Sequence, residues 1–312
     1  MRIVAYNLSS RLNSALRAAF GKDVAIMKQK LDGESADTEA EIAIVTITSQ
    51  VRPDALEKMK RLKAIVTAST GMDHIDPAYC KAHGITIRNC PSYSSNAVAE
   101  LALALAFGGL RSMEKMLGFG RALAYPPSYF NHLGSELSGK KCAVLGTGQI
   151  GALIAKKLLA LGCTVVAFSR SQNPELAGAG VAYFSLEGAL AQADLVFIAL
   201  PSTPETHHLI GEKLLGKMKT GAAIVNIARG ELVDSAALLR HIGRLGFYAT
   251  DVVEGEAALW LGRPMKVDAV NGLVKKPNFF LVPHIGASTR ESQERLSAEL
   301  VSVISGLART GV

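Results

Sequence analysis

The stretch KKCAVLGTGQIGALIAKKLLALGCTVVAFSRS, Lys140 to Ser171, reads as strand, glycine turn, helix, strand. Cys142 to Leu145 is a short apolar run suited to a strand buried on both faces, and Gly146, Gly148 and Gly151 follow it as G-x-G-x-x-G. Ile150, Leu153, Ile154, Leu158 and Leu161 then recur at three- and four-residue steps. Gly162 ends that pattern, and Thr164 to Phe168 reads as the second parallel strand. The first glycine permits the tight turn, the second lets a pyrophosphate approach the backbone, and the third lets helix and strand pack closely.

At the start of such a helix the unpaired N–H groups and the positive end of the dipole favour a diphosphate. Gly146, Thr147, Gly148, Gln149, Ile150 and Gly151 are therefore expected to bind a dinucleotide. Where this turn is NAD-specific, an Asp or Glu about 20 residues on accepts hydrogen bonds from the adenosine ribose. Here that acid is missing, and Ser169-Arg170-Ser171 offers two hydroxyls and a guanidinium instead. A guanidinium matches phosphate in charge and geometry, so NADP(H) is expected to be preferred, with NAD(H) possible.

At 312 residues the chain has room for two domains and substantial cores. No uninterrupted apolar run approaches the roughly 18 residues of a membrane span, and MRIVAYNL reads as a first strand rather than a signal. The net charge of +7 is dispersed and aromatics are only 6%, which argues against nucleic acid. The densest basic cluster, Lys58, Lys60, Arg61 and Lys63, is expected on the solvated face of a helix. Cys80, Cys90, Cys142 and Cys163 form no metal or redox spacing, so they read as core thiols of a reducing, cytoplasmic protein.

Residues 1 to about 95 alternate strand-like and helix-like segments: Arg2–Tyr6, Leu8–Phe20, Ala43–Thr46, Pro53–Leu62, Ala64–Thr67, Pro77–His83 and Ile85–Asn89. That alternation argues a parallel α/β sheet without a glycine fingerprint, better suited to a substrate than to a dinucleotide. From Asn96 one long helical run is expected, broken only at Gly108-Gly109. The segment from Arg121 to Lys140 reads as an excursion, either a plain loop or a subunit contact. With Phe119, Tyr125, Tyr129 and Phe130 in the helix from Asn96 and the arm to Lys140, a homodimer built on this region is expected. Further strands read at Leu195–Leu200, Ala223–Ile227, Phe247–Val252 and Phe279–Val282, which completes a doubly wound fold, and residues 287 to 312 read mainly as one amphipathic helix.

Ala228-Arg229-Gly230, Asp251 to Glu256 and Pro283-His284-Ile285-Gly286 each put a polar group beyond an apolar strand, at the edge where a nicotinamide should lie. An Arg, a Glu and a His there suit hydride transfer to a carbonyl: the Arg binds and polarises, the His gives the proton, and the Glu supports the His. Together with YSSNAVAE (93–100), LPSTPETHHLI (200–210), NIARGELVD (226–234), DVVEGE (251–256) and PHIGAST (283–289), the chain resembles the D-isomer-specific 2-hydroxyacid dehydrogenases along nearly its whole length.

The resemblance implies Arg229, Glu256 and His284 as catalytic groups and a small 2-oxo or 2-hydroxy acid as substrate. It implies a substrate carboxylate on the backbone of Thr70, Gly71 and Met72, with Tyr93 nearby, and cofactor contacts from Pro201, Ile227, Ala228, Asp251, His284 and Gly286. The fold it implies is α/β with two doubly wound parallel-sheet domains: a Rossmann cofactor domain, 98–286, inserted in a flavodoxin-like substrate domain, 1–97 with 287–312. Nucleotide-sensing corepressors that bind peptides use the same fold, usually with appended tails, and stand as the alternative reading. Ala257 follows Glu256 where many relatives carry Pro, the long interval to His284 resembles the lactate-type branch, and PHIGAST resembles the phosphoglycerate and glyoxylate branches.

Other polar groups have plainer readings. Asp76 reads as the N-cap of a helix from Pro77. His207 and His208 are expected in a loop with diverging rings, so no metal site is expected. Trp260, the only tryptophan, either packs over the active site or covers the domain edge.

Overall fold

Every strand pairing in the computed structural model, which describes residues 1–123 and 133–310, is parallel. The chain divides into two compact units, Met1–Ser94 with Ala287–Val312, and Ser95–Gly286.

The first unit holds β1 (Ile3–Tyr6), α1 (Ser10–Phe20), β2 (Val24–Met27), β3 (Ile42–Val45), α2 (Pro53–Leu56), β4 (Ala64–Thr67), α3 (Pro77–Ala82) and β5 (Thr86–Asn89). Its sheet order is β2-β1-β3-β4-β5, the doubly wound order in which the winding reverses between β1 and β3. β1, β3 and β4 are wholly buried, as strands covered on both faces must be. β2 is an edge strand, largely half-buried, and is absent from the expected strands although its four residues, VAIM, are all apolar.

Two expectations in this unit are corrected. α2 stops at Leu56 rather than Leu62, so the basic cluster lies in turns, not on a helix. There Lys58 Nζ donates to the Gly33 carbonyl, Arg61 pairs with Glu39 and Lys63 with Glu41. Asp76 does cap α3, accepting the Tyr79 N–H at 2.9 Å.

In the second unit follow α4 (Ser95–Leu110), α5 (Met113–Arg121), β6 (Lys141–Leu145), α6 (Gln149–Ala160), β7 (Thr164–Phe168), α7 (Pro174–Gly178), β8 (Ala182–Tyr183), α8 (Leu186–Gln192), β9 (Leu195–Ile198), α9 (Glu212–Lys217), β10 (Ala223–Asn226), α10 (Ser235–His241), β11 (Tyr248–Thr250), α11 (Ala257–Trp260), α12 (Asp268–Leu273) and β12 (Phe279–Leu281). The order β12-β11-β10-β9-β6-β7-β8 is the dinucleotide-type winding with one added strand, reversing between β6 and β9.

The expected break in the long helix is also corrected. Gly108 and Gly109 stay helical in α4, and the chain turns at Ser112, whose φ of 47° is left-handed. Gly109 is there for packing: a Cβ would lie 2.5 Å from the Phe247 ring. Tyr125, Tyr129 and Phe130 of the expected subunit contact lie outside the described residues.

The last helix, α13 (Arg290–Arg309), belongs to the first unit. Thr289 caps it, and Leu296, Leu300, Ile304 and Leu307 form one buried stripe packed with Leu12 and Leu16 of α1. Fully burying such a side chain contributes about 1.5–3 kcal/mol. No described helix is long and apolar enough to cross a membrane.

Candidate active site

The glycine turn sits at the carboxyl end of β6, beside β9. Gly146 has φ 92°, and a Cβ on it would lie 2.6 Å from the Ala199 carbonyl oxygen. A Cβ on Gly151 would lie 1.8 Å from the Gly146 carbonyl oxygen, so helix and turn touch backbone to backbone. Around Gly148 nothing lies within 4 Å of that position. As N-cap of α6 it brings no side-chain hydrogen bond, so no side chain competes for the first N–H groups of the helix. The donor set, the open space and the helix dipole fit a dinucleotide diphosphate.

Around this turn, Thr147 is buried with its hydroxyl 3.2 Å from the Tyr183 hydroxyl, and Gln149 accepts a hydrogen bond from Ser95 at 3.1 Å. Ile150 packs on the core beside it. Ser169 is half-buried, while Arg170 and Ser171 are exposed. The Glu205 carboxyl is held below its ordinary range, chiefly by a hydrogen bond from Thr203 and in part by the Arg170 charge. Glu205 thus stands near Arg170, a neighbour that sequence spacing did not reveal. Pro201 is exposed, and its carbonyl accepts the Thr206 hydroxyl at 2.7 Å, closing the loop after β9.

The loops after β10, β11 and β12 are joined by backbone contacts and buried polar groups. Asn226, fully buried at the end of β10, accepts the Ala228 N–H at 3.0 Å and donates to the Arg229 carbonyl at 2.9 Å and the Tyr248 hydroxyl at 3.1 Å. That closes the turn carrying Ile227, Ala228 and Arg229. Arg229 Nη1 donates to the Ala228 carbonyl at 2.8 Å. A Cβ on Gly230 would lie 2.0 Å from the Val253 carbonyl carbon, so only glycine lets the Arg229 turn rest on the backbone leading to Glu256.

Asp251, 4% exposed, accepts the Ile285 N–H at 2.6 Å and the Gly286 N–H at 2.8 Å. Burial pushes its carboxyl up, against these two hydrogen bonds and the His284 charge. Each oxygen keeps a second lone pair for a further donor. His284 has a left-handed φ of 53°, and its N–H donates to the Asp251 carbonyl at 3.0 Å. Its Nδ1 lies 2.8 Å from Glu256 Oε1, and the Trp260 ring stands edge-on to the imidazole, centroids 5.1 Å apart at 61°.

In the first unit, Thr70, Gly71 and Met72 follow β4. Asn89 Nδ2 donates to the Thr70 carbonyl at 2.7 Å, Ser69 Oγ to the Gly71 carbonyl at 2.7 Å, and the Ile75 N–H to the Met72 carbonyl at 3.0 Å. Behind them Thr67 Oγ1 lies 2.7 Å from Ser69 Oγ and 3.0 Å from Nε2 of buried His74. With the Ser69 proton on Gly71, Thr67 donates to Ser69 and His74 to Thr67. Tyr93 is buried, and its carbonyl accepts from Arg295 at 2.8 Å.

Among the described residues no group of three His, Cys, Asp or Glu could hold a metal. The histidine pair departs from expectation. The rings of His207 and His208 lie 4.1 Å apart at 33°, because His208 at φ 52° turns its side chain back, placing Nε2 2.9 Å from Glu254. The sequence reading missed Asn226, Asn89 and Glu254. A polar residue ending an otherwise apolar strand was the available signal for Asn226, whereas Asn89 ends the mixed strand Thr86–Asn89 and had no such signal.

The family model described as D-isomer specific 2-hydroxyacid dehydrogenase, NAD binding domain, matches residues 103–286. D-3-phosphoglycerate dehydrogenase of Mycobacterium tuberculosis is 32% identical over 309 residues, 95% of this chain and 55% of that protein, so the chain spans about half the length of that relative. Hydroxypyruvate reductase of Thermotoga maritima is 33% identical over 268 residues, 85% of this chain and 84% of that one. Among solved structures, D-lactate dehydrogenase from Aquifex aeolicus complexed with NAD and lactic acid superposes with a TM-score of 0.91 at 30% identity, covering 99% of this chain and 96% of that one. The chain belongs to the D-isomer specific 2-hydroxyacid dehydrogenase family.

Proposed function

We propose that the chain is a nicotinamide-dependent oxidoreductase that interconverts a small 2-oxo acid and its D-2-hydroxy acid. The 2.8 Å contact between Glu256 and His284 Nδ1 carries this reading. An ionised carboxylate only accepts hydrogen bonds, so Glu256 keeps a proton on Nδ1 and leaves Nε2 as the nitrogen that gives or takes one. The bound nicotinamide would supply the hydride that moves to and from the carbonyl carbon. His284 would protonate the carbonyl oxygen in reduction, and Arg229 would bind and polarise the acid. The N–H groups of Thr70, Gly71 and Met72, which meet no acceptor among the described residues, would take the substrate carboxylate, with Tyr93 beside it.

Gly146 to Gly151 would hold the diphosphate, and Ile227, Ala228, Asp251 and Gly286 would border the nicotinamide. Arg170 supports a preference for NADP(H) over NAD(H), moderated by its neighbour Glu205. A homodimer is supported by Leu117, Leu123 and Leu133, 51%, 81% and 88% exposed, and light scattering that gave only the 33.0 kDa mass of one chain would reject it.

The test is reduction of glyoxylate, hydroxypyruvate, pyruvate and phenylpyruvate with NADPH and with NADH, followed by chiral analysis of the product. At least one acid should give the D-hydroxy acid, and His284→Asn should lower that turnover by about 10²–10⁴-fold. No reduction of any acid with either cofactor, or full turnover in His284→Asn, would sink the reading.

A further inference from the structure

Glu256 immediately precedes α11, and Trp260 ends it. Residues four apart on a helical turn share a face, so their side chains leave α11 in the same direction. Both meet one imidazole: Glu256 Oε1 is 2.8 Å from His284 Nδ1, and the indole stands edge-on to the ring, 5.1 Å between centroids. Leu259, one residue earlier, is 51% exposed, so this turn directs its tryptophan inward to His284 while its leucine faces out.

A single hydrogen bond at Nδ1 fixes one point of a ring and leaves it free to pivot about that bond. The far nitrogen, Nε2, then sweeps an arc. The His284 backbone is held at φ 53° by its N–H on the Asp251 carbonyl, which fixes Cα but not the ring plane. An aromatic ring packed at 61° against the imidazole blocks the pivot. We infer that Trp260 is a positioning residue for His284: with Glu256 it makes a two-point clamp that keeps Nε2 aimed in one direction. This rests on the reading of His284 as the proton donor. Misplacing a reacting atom by about 1 Å costs roughly a hundredfold in rate, so a clamp of this kind acts on turnover rather than on binding.

Two measurements test it. Steady-state kinetics of Trp260→Ala should show kcat roughly tenfold or more below wild type with the cofactor KM within about twofold, while Trp260→Phe, which keeps an aromatic wall, should recover most of the loss. Circular dichroism melting of both variants separates this from a fold defect, since a defect would lower Tm and raise both KM values while kcat fell. Because the chain has one tryptophan, its emission comes from Trp260 alone. Imidazole in ring contact quenches indole, so emission should rise in His284→Asn. Unchanged kcat in a folded Trp260→Ala, or unchanged emission in His284→Asn, would overturn the inference. If wild type reduced no 2-oxo acid, the functional reading would fall, and the emission comparison would still decide whether the indole sits against the imidazole.

Discussion

In the loop after β4 the carbonyls of Thr70, Gly71 and Met72 are each tied to a donor within the first unit, from Asn89, Ser69 and Ile75. In the turn after β6 the tethers are backbone only, Gly146 N–H to the Phe168 carbonyl and Ala152 N–H to the Gly148 carbonyl, and Gly146 and Gly151 make the backbone curl so closely that no Cβ fits. Both loops lie at carboxyl ends of parallel strands in sheets wound by the same rule. In the first, two side chains and one backbone N–H hold the carbonyls. In the second, missing side chains and a helix start without a side-chain cap leave the backbone bare. α3, which follows the first loop, is capped by Asp76, so its own N–H groups are not offered in the same way. A backbone loop at a strand end can thus be fixed by adding donors or shaped by removing side chains, and only the second route leaves a glycine fingerprint in the sequence.

The sharpest way to break this comparison is Gly151→Ala, which places a methyl 1.8 Å from the Gly146 carbonyl oxygen. Overpacking of this kind costs about 1–3 kcal/mol or more. Cofactor affinity, read by fluorescence titration, should fall by about a hundredfold, while the first unit keeps its fold. Retained affinity would mean that the turn relaxes freely and that its close contact is incidental.

Asn89→Ala tests the other route. Removing the donor to the Thr70 carbonyl leaves a polar group short of its partner, at about 1–3 kcal/mol. The expected result is a substrate KM raised about tenfold or more with the cofactor KM unchanged; equal effects on both constants would show that Asn89 supports the fold at large rather than this loop.

Arg170→Ala should have the smallest effect of the three, since Arg170 is exposed and Glu205 already draws on its charge. A charge-assisted pair of this kind contributes about 1.5 kcal/mol at its lower end, roughly tenfold in kcat/KM for NADPH, with NADH little changed. A wild-type preference for NADH would remove the phosphate-reading role from this position.

What the sequence made legible follows the same division. The glycine fingerprint and the buried apolar strands could be read because each depends on residue type at fixed spacing, and the Glu256–His284 contact joins two residues that the sequence motifs single out. β2 and β8, each an edge strand of its own sheet and partly exposed, were not read: β8 has only two residues, and β2 is half-buried although all four of its residues are apolar. The Gly108-Gly109 pair looked like a helix break, but its reason is Phe247, more than a hundred residues on in the chain. Asn226, Asn89 and the His208–Glu254 pair act through partners distant in sequence, which no local pattern can name.

α13 has a consequence in time. It completes the core of the first unit with Leu300 and Ile304 against α1, and Arg11 meets Glu294 across 283 positions of chain. Contacts so far apart are slow to close, and domains fold as units while the chain emerges from the ribosome. The second unit runs continuously from Ser95 to Gly286, so its contacts need no residue beyond that stretch, while β1 to β5 cannot complete their core until α13 has been made. Until α13 arrives, Leu12 and Leu16 of α1 lack the stripe that covers them, and an apolar face left so is one that other chains can meet.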